Sequence, residues 1–261
     1  MGSTVTVNGG QRLHFVDYGG TGAPVVLLHS FLMDLEMFAP QVAALGREFR
    51  LIAVDERGHG GTPADESFDY WDVADDVLAL LDELGLPKAA VIGTSQGGFI
   101  GLRMALTAPE RVSALAVLGT SAAAEDAKVA AGYRELVSTW SDQGPADQLL
   151  DMIANICLGT ADATSWKAKW STVPADKFSR IMATLVHRDG LLTRLAEVRC
   201  PVLAMHGSAD AAYPVCRGAE IVEAVAHAEP LVVVDGGAHF LSLTDPEAVN
   251  PHLRKFLTEF A

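Results

Sequence analysis

The sequence has few cysteines, few cationic residues and no long apolar run, and each shortage excludes a class of protein. It has three cysteines, Cys157, Cys200 and Cys216, with no Cys-x-x-Cys pair, which argues against a disulfide framework or a zinc site. Lysine and arginine total 19 against 33 aspartates and glutamates, giving a net charge of −14. Such an acidic chain disfavours nucleic acid and anionic membranes as partners. No apolar stretch approaches the ~20 residues that a membrane helix needs.

The N-terminal stretch and the cysteine pattern both bear on location. The first residues, "MGSTVTVNGGQRLHF", contain neither a basic start nor an apolar segment, so we expect no signal peptide. Widely spaced, unpaired thiols are typical of a reducing compartment. We therefore expect a cytoplasmic protein without a metal or another cofactor, and the composition indicates no particular oligomeric state.

The sequence does have a regular alternation of apolar runs and amphipathic stretches. Seven apolar runs are candidate strands: 12–17, 25–29, 50–54, 89–93, 112–118, 202–206 and 231–235. Most are continuously apolar, as expected for strands buried on both faces of a parallel sheet. Amphipathic stretches between and after the runs predict helices: 70–84, 96–107, 215–227 and 246–260. Alternation of this kind predicts a wound α/β fold.

One long segment interrupts the alternation. From about 121 to 194 the sequence shows helical patterns and no convincing strand, and the strand pattern then resumes with "CPVLAMHG". We predict a helical cap at 121–194 that is inserted into an α/β core of 1–120 and 195–261. The segment contains three of the four tryptophans: Trp140, Trp166 and Trp170.

The stretch "VIGTSQGGFIGLRMA", residues 91–105, places a serine between glycines after an apolar run. Gly93, Ser95 and Gly97 form a G-x-S-x-G motif, and Gly98 follows them. A strand before the motif and a helix after it are the context in which this motif indicates a nucleophile on a sharp turn. Glycine-rich turns between strands and helices are nevertheless common. The motif therefore indicates a catalytic serine only if the sequence also offers a base and a carboxylate.

A nucleophilic serine needs a base, and His239 is the best candidate among the eight histidines. It follows the apolar run 231–235 through the glycine-rich loop "GGAH". His29 and His206 end predicted strands and are interpreted as buried, hydrogen-bonded residues. His59 lies in "DERGHGGT" and is interpreted as fixing a loop.

The base in turn needs a carboxylate that orients it and stabilises its protonated form. Asp210 fits, because it lies four residues after the run 202–206, in the loop "GSADAAYP". Asp235 is an alternative that is nearer the histidine in sequence, and Glu125 or Asp126 are alternatives that follow another strand. Ser95, Asp210 and the histidine each follow a different predicted strand, so their loops converge on one crevice.

The chain resembles the α/β-hydrolase fold family along nearly its whole length. The resemblance rests on "LLHSFLMD", "VDERGHGGT", "GTSQGG", "CPVLAMHGSAD" and "GGAHF". It implies a mostly parallel eight-stranded sheet with helices on both faces and a helical cap insertion. It also implies a nucleophile at Ser95, a base at His239 and an acid at Asp210. The oxyanion donors would be the backbone N–H groups of Phe31 and Gln96.

The sequence departs from the usual family pattern at two positions. His29-Ser30 replaces the common His-Gly, a feature that occurs in the enol-lactone hydrolase branch, as does "DERGHG". Gln96 stands where methionine or leucine is commoner, and we expect its side chain at the rim of the pocket. Relatives that act on haloalkanes or epoxides use an aspartate at the elbow, so Ser95 indicates acyl chemistry instead.

We therefore predict a serine hydrolase that cleaves a carboxylic ester or lactone with apolar groups. One alternative is a carbon–carbon bond hydrolase of a dienone-type substrate, which would use the same triad with cationic cap residues. Candidates for that role are Lys128, Arg134, Lys167, Lys169, Lys177, Arg180 and Arg188. Another alternative is a ligand receptor that retains the triad.

We expect these residues to contact the substrate: Ser30, Leu32, Trp140, Ile153, Trp166 and Phe240.

Overall fold

An eight-stranded, mostly parallel sheet forms the core, in agreement with the predicted α/β-hydrolase fold. The structure is a computed structural model that describes residues 2–140 and 144–261. The strands are β1 (Ser3–Val7), β2 (Gln11–Asp17), β3 (Pro24–Leu28), β4 (Arg50–Val54), β5 (Ala89–Thr94), β6 (Val112–Leu118), β7 (Val202–Gly207) and β8 (Val232–Val234). Their order is β1-β2-β4-β3-β5-β6-β7-β8, and β2 is antiparallel to both of its neighbours.

Helices occupy the connections between the strands, and the four predicted at 70–84, 96–107, 215–227 and 246–260 lie close to those positions. The α-helices are α1 (Ala39–Leu45), α2 (Tyr70–Glu83), α3 (Gln96–Thr107), α4 (Ala127–Thr139), α5 (Asp147–Leu158), α6 (Thr164–Trp170), α7 (Ala175–Val186), α8 (Cys216–Ala224), α9 (Leu241–Thr244) and α10 (Pro246–Phe260). Two 3₁₀ helices span Leu35–Phe38 and Leu192–Glu197. Within the described residues, no helix has the length and apolar character needed to cross a bilayer.

The strand β1 was missing from the sequence prediction. It pairs with β2 as a hairpin, from Ser3 opposite Phe15 to Val7 opposite Gln11. The turn between them is Asn8-Gly9-Gly10, and all three residues have positive φ angles of 40°, 73° and 126°. Asparagine and glycine adopt this conformation more readily than other residues, so "NGG" is the local signal that marks the hairpin.

Burial explains why the central strands are apolar without interruption. Every residue of β5 and of β7 is buried, because helices cover both faces of the sheet. Helix α2 illustrates how the local sequence fixes the flanking elements. The Asp69 side chain accepts hydrogen bonds from the N–H groups of Trp71 and Asp72, and the Asp72 carboxylate accepts one from the N–H of Asp69. This capping box satisfies N–H groups that would otherwise lack partners at the start of the helix.

The helices α4, α5, α6 and α7, here called the cap helices, all lie between β6 and β7 in the chain. No strand occurs in the described part of this segment, in line with the helical pattern seen in the sequence. The division into a cap at 121–194 and a core on either side stays a prediction. What matters for the site is that loops after β3, β5, β7 and β8 meet at the carboxyl edge of the sheet, where open α/β sheets bind ligands.

Candidate active site

The turn between β5 and α3 holds Ser95 in an unusual backbone conformation. Its φ and ψ are 50° and −107°, a strained region for a residue other than glycine. The glycines around it allow the close approach of backbone segments. A Cβ on Gly93 would lie 2.2 Å from the oxygen of Gly97, and a Cβ on Gly97 would lie 2.0 Å from the oxygen of Leu28. The motif therefore forms a tight elbow that only glycine permits at these two positions.

A continuous chain of hydrogen bonds joins three of the predicted site residues. The Ser95 Oγ lies 2.9 Å from His239 Nε2, and His239 Nδ1 lies 2.8 Å from Asp210 Oδ2. The other carboxylate oxygen of Asp210 accepts hydrogen bonds of 2.8 Å from the N–H groups of Ala212 and Tyr213. Because Nδ1 donates to the carboxylate, Nε2 carries the lone pair that faces the serine hydroxyl.

The environment of Asp210 keeps its carboxyl group ionised. Burial acts to raise its pKa, but hydrogen bonds from His206 and His239 outweigh burial and hold the pKa well below its ordinary value. The Asp210 side chain is only 1% exposed, so its charge acts on the imidazole with little solvent screening. His206 is itself fully buried, and its Nε2 lies 3.1 Å from Asp210 Oδ2. A permanently charged carboxylate is what an orienting acid in a triad requires.

The alternative acids are all engaged elsewhere. Asp235 is exposed, and its carboxylate accepts a hydrogen bond from Ser208 Oγ. Glu125 accepts a 2.5 Å hydrogen bond from Arg188 and a 3.2 Å bond from the Tyr213 hydroxyl. Asp126 caps the N-terminus of α4. Asp210 is therefore the carboxylate that the structure brings to His239.

Two backbone donors near Ser95 lack partners. Within the described residues, the N–H groups of Phe31 and Gln96 donate no hydrogen bond. Gln96 begins α3, so its N–H also carries the partial positive charge of a helix N-terminus. Leu32 follows Phe31 with a positive φ of 61°, which marks a sharp turn of the loop after β3. The two predicted oxyanion donors are thus free to bind a negative oxygen.

A largely apolar cavity of about 90 Å³ opens above the serine. The core contributes Phe31, Leu32, Tyr213 and Phe240 to its wall, and the cap helices contribute Leu136, Ile153, Phe178 and Met182. No lysine, arginine, aspartate or glutamate of the described residues lines it. Four of the six predicted substrate contacts therefore lie in the wall: Ser30, Leu32, Ile153 and Phe240.

Trp140 and Trp166, the other two predicted contacts, do not line the cavity. The Trp140 ring stacks on Phe178 at a centroid distance of 3.7 Å, and its indole nitrogen donates to the Val173 oxygen. Trp166 is buried beneath Lys169, whose ammonium lies 4.4 Å from its ring centroid. Both tryptophans are buried, so they contribute to packing and not to the cavity wall.

Several lining residues share helix faces with predicted ones but were not themselves predicted from the sequence. Ile156 and Cys157 lie three and four residues after Ile153 on α5, and all three face the cavity. On α4, Tyr133 and Leu136 have the same spacing of three. Helical periodicity taken from Ile153 would have identified the α5 pair.

Known proteins similar to this chain show the family to which it belongs. A model of the alpha/beta hydrolase fold matches residues 23–246. The chain belongs to the alpha/beta hydrolase family. It is 26% identical to 3-oxoadipate enol-lactonase 1 of Acinetobacter baylyi, over 93% of this chain and 92% of the relative. It is 30% identical to the dihydrolipoyllysine-residue acetyltransferase component of the acetoin cleaving system of Pseudomonas putida, over 95% of this chain and 67% of the relative.

A solved structure gives the same result for the fold. The enol-lactonase from Burkholderia xenovorans LB400 superposes with a TM-score of 0.87 and 26% identity, covering 98% of this chain and all of that one. This alpha/beta hydrolase therefore has enol-lactonases among its relatives and among its structural neighbours.

Behind the elbow of this hydrolase lies a buried polar cluster. The Gln96 side chain donates a 2.5 Å hydrogen bond from Nε2 to Glu56 Oε2, and its Oε1 accepts one of 3.0 Å from the Tyr70 hydroxyl. We expected this side chain at the rim of the pocket, but it points away from the cavity. Burial raises the pKa of Glu56 to about 7, although His29 and Gln96 act to lower it. We call Glu56, Tyr70 and Gln96 the rear cluster.

No group of three or more histidine, cysteine, aspartate or glutamate side chains in the described residues could hold a metal ion. The polar groups that face the serine are instead the imidazole, the hydroxyls and the backbone donors described above. Groups of these kinds take part in nucleophilic and acid–base chemistry.

Proposed function

We propose that this hydrolase cleaves a carboxylic ester or lactone through an acyl-enzyme on Ser95. The observation that carries the proposal is the unbroken chain from Ser95 Oγ through His239 to Asp210 beside two unpaired backbone donors. Nucleophile, base, orienting acid and oxyanion hole are the four parts that acyl transfer requires.

Each step uses one part of this arrangement. The Ser95 oxygen attacks the substrate carbonyl carbon while His239 Nε2 takes the hydroxyl proton. The carbonyl oxygen becomes negative and is bound by the N–H groups of Phe31 and Gln96. The tetrahedral intermediate then collapses, and the imidazolium gives its proton to the leaving alcohol. Water repeats the sequence on the acyl-enzyme and releases the acid.

The cavity supports an uncharged substrate. Its wall is apolar, and a carboxylate buried there would have no cation to pair with. The cationic cap residues that would serve a carbon–carbon bond hydrolase of an anionic dienone do not line the cavity within the described residues. Arg188, the most buried of them, is already paired with Glu125. The ester or lactone reaction is therefore the better supported of the two.

The decisive experiment combines labelling with turnover. An organophosphonate should modify Ser95, and Ser95→Ala should remain folded while losing nearly all hydrolysis of p-nitrophenyl butyrate, by about 10⁶-fold. Ser208→Ala is the matched control, because this serine lies in a loop beside Asp235 and outside the cavity. Full activity of Ser95→Ala contradicts the proposal, and rapid multiple turnover by the unaltered enzyme rules out the receptor alternative.

The same assay tests the charge of the substrate. The mono-p-nitrophenyl ester of succinate has the chain length of the butyrate ester but ends in a carboxylate. We expect kcat/KM to be at least about 100-fold lower for it, because the charge enters the cavity unpaired. The methyl-capped succinate ester is the neutral control for size and should be hydrolysed well. Equal rates on both succinate esters would contradict an uncharged substrate class.

A further inference from the structure

Ser30 lines the active-site cavity, and its buried hydroxyl has no hydrogen-bond partner among the described residues. The residue is fully buried. Its backbone groups are all engaged: the N–H contacts Met37 Sδ at 3.3 Å, and the oxygen accepts bonds from His29 Nδ1 and from the N–H of Met33. A buried hydroxyl without a partner is destabilising, so this one stands out.

The position of Ser30 limits what its hydroxyl can meet. It immediately precedes Phe31, whose free N–H is one of the two oxyanion donors, and it shares the cavity wall with Ser95. Most of the remaining wall is apolar, and the Tyr213 hydroxyl already donates to Glu125. A substrate bound for attack by Ser95, with its carbonyl oxygen beside the N–H of Phe31, would bring an acceptor next to Ser30.

We propose that the Ser30 hydroxyl is a third donor of the oxyanion hole, beside the N–H groups of Phe31 and Gln96. This inference rests on the proposed function of Ser95. No proton is transferred: the hydroxyl hydrogen bond strengthens as the carbonyl becomes an alkoxide during attack, and it weakens again when the intermediate collapses. Because the bond is strongest in the transition state, it raises kcat and leaves KM nearly unchanged.

The test removes only the hydroxyl oxygen. Ser30→Ala should lower kcat for p-nitrophenyl butyrate at least about tenfold, less than the loss of a main donor because two N–H groups remain, and KM should stay within twofold. A butyl trifluoromethyl ketone provides a readout without turnover, because Ser95 adds to it and forms an oxyanion. Its inhibition constant should rise by about the same factor. Ser30→Gly, the residue common in this family, is a second variant and should show the same losses.

Ser121→Ala is the matched control. Ser121 is equally buried and lies outside the cavity, and its Oγ accepts a 3.0 Å hydrogen bond from the N–H of Ala123. This control should lower the Tm by about 2–4 °C and keep kcat within twofold. Ser30→Ala should do the opposite, with a Tm unchanged or raised, because it removes an unpaired polar group. A loss of kcat in Ser30→Ala alone and a loss of Tm in Ser121→Ala alone would separate a role in catalysis from a role in stability.

The outcomes distinguish this inference from the proposed function. If Ser95→Ala is inactive while Ser30→Ala retains its kcat and its affinity for the ketone, Ser30 is not an oxyanion donor and the acyl-enzyme stands. A rise in KM with unchanged kcat also overturns the inference, since it indicates contact with the ground state alone. If Ser95→Ala remains fully active, the proposed function fails first.

Discussion

The two sides of the nucleophile elbow differ in the hydrogen bonding of their polar groups. In front, the Ser30 hydroxyl and the N–H groups of Phe31 and Gln96 have no partners among the described residues and lie beside apolar walls. Behind, the Gln96 amide is bonded on both ends, to Glu56 and to Tyr70. One residue therefore takes part in both regions, with its backbone in front and its side chain behind.

The difference suggests a division of tasks. Unpaired donors are unfavourable in a folded chain, and they are retained where an incoming charge will satisfy them. The bonded rear cluster fixes α3 relative to the loop after β4 and the start of α2. A donor placed within a few tenths of an ångström is what electrostatic stabilisation of an oxyanion needs. We expect front substitutions to change rates strongly and rear substitutions to change stability more than rates.

After loss of Ser95, the largest effect on rate is expected from substitution of Asp210, the carboxylate that is hydrogen-bonded to His239. Asp210→Asn should reduce kcat by about 10⁴-fold, because an amide no longer holds the imidazole in the tautomer that accepts the serine proton. Asp235→Asn changes an exposed residue in the loop after β8, and this control should retain activity. A mild effect of Asp210→Asn together with a large one of Asp235→Asn or Glu125→Gln would reassign the acid. Initial rates with p-nitrophenyl butyrate decide it.

The front side was largely predictable from the sequence, and the rear side was not. Ser95 and His239 stand out because each follows an apolar run through a glycine-rich turn, which is a local signal. The contacts of the rear cluster join residues that are 40 and 26 positions apart, and no local pattern indicates them. No local pattern indicates that Trp140 lies outside the cavity wall either, since the face of a helix that meets a cavity depends on how the helices pack.

In the fold too, some elements were predictable from local sequence patterns and others were not. The alternation of runs predicted seven strands and the principal helices of the core to within a few residues, because burial on both sheet faces leaves a continuous apolar run. Strand β1 was missed because only Val7 of its five residues is buried, so it lacks such a run. Its turn signal, Asn8 followed by two glycines, was present and would have been sufficient.

A smaller effect is expected when the rear cluster is broken at Gln96. Gln96→Met keeps the backbone donor and nearly the same length but leaves the Glu56 carboxyl and the Tyr70 hydroxyl without their partner. We expect a Tm lower by about 4–8 °C and kcat lower by about tenfold, since the elbow is less firmly held.

Gln41→Met is the control for this substitution. Gln41 is also fully buried, and its amide donates to the backbone oxygen of Ser242 and to Asn250, with no hydrogen bond to the rear cluster. It should lower the Tm to a similar extent without a tenfold loss of kcat. If both variants lose the same fraction of kcat, the rear cluster has no particular role in placing the Gln96 N–H.

The smallest effect on rate, and the one most specific to the rear cluster, concerns the proton on Glu56. Its pKa is raised to about 7 in the folded protein by burial, from an ordinary value of 4.5. The folded state therefore binds this proton more tightly than the unfolded state does. The resulting stabilisation, about 3 kcal/mol, is complete below the ordinary value and is lost as the pH rises towards 7.

Glu56→Gln removes this dependence while leaving an oxygen that can accept from Gln96. The Tm of the variant should match that of the unaltered enzyme near pH 4.5 and exceed it by several degrees at pH 8. Asp210 and the other ionisable groups are common to both proteins, so their contributions cancel in the difference between the two curves. The kcat at low pH should remain within about threefold, because a glutamine resembles the protonated carboxyl group. Differential scanning fluorimetry from pH 4.5 to 8 measures the difference directly, and parallel curves would mean that Glu56 does not change its protonation state across this range.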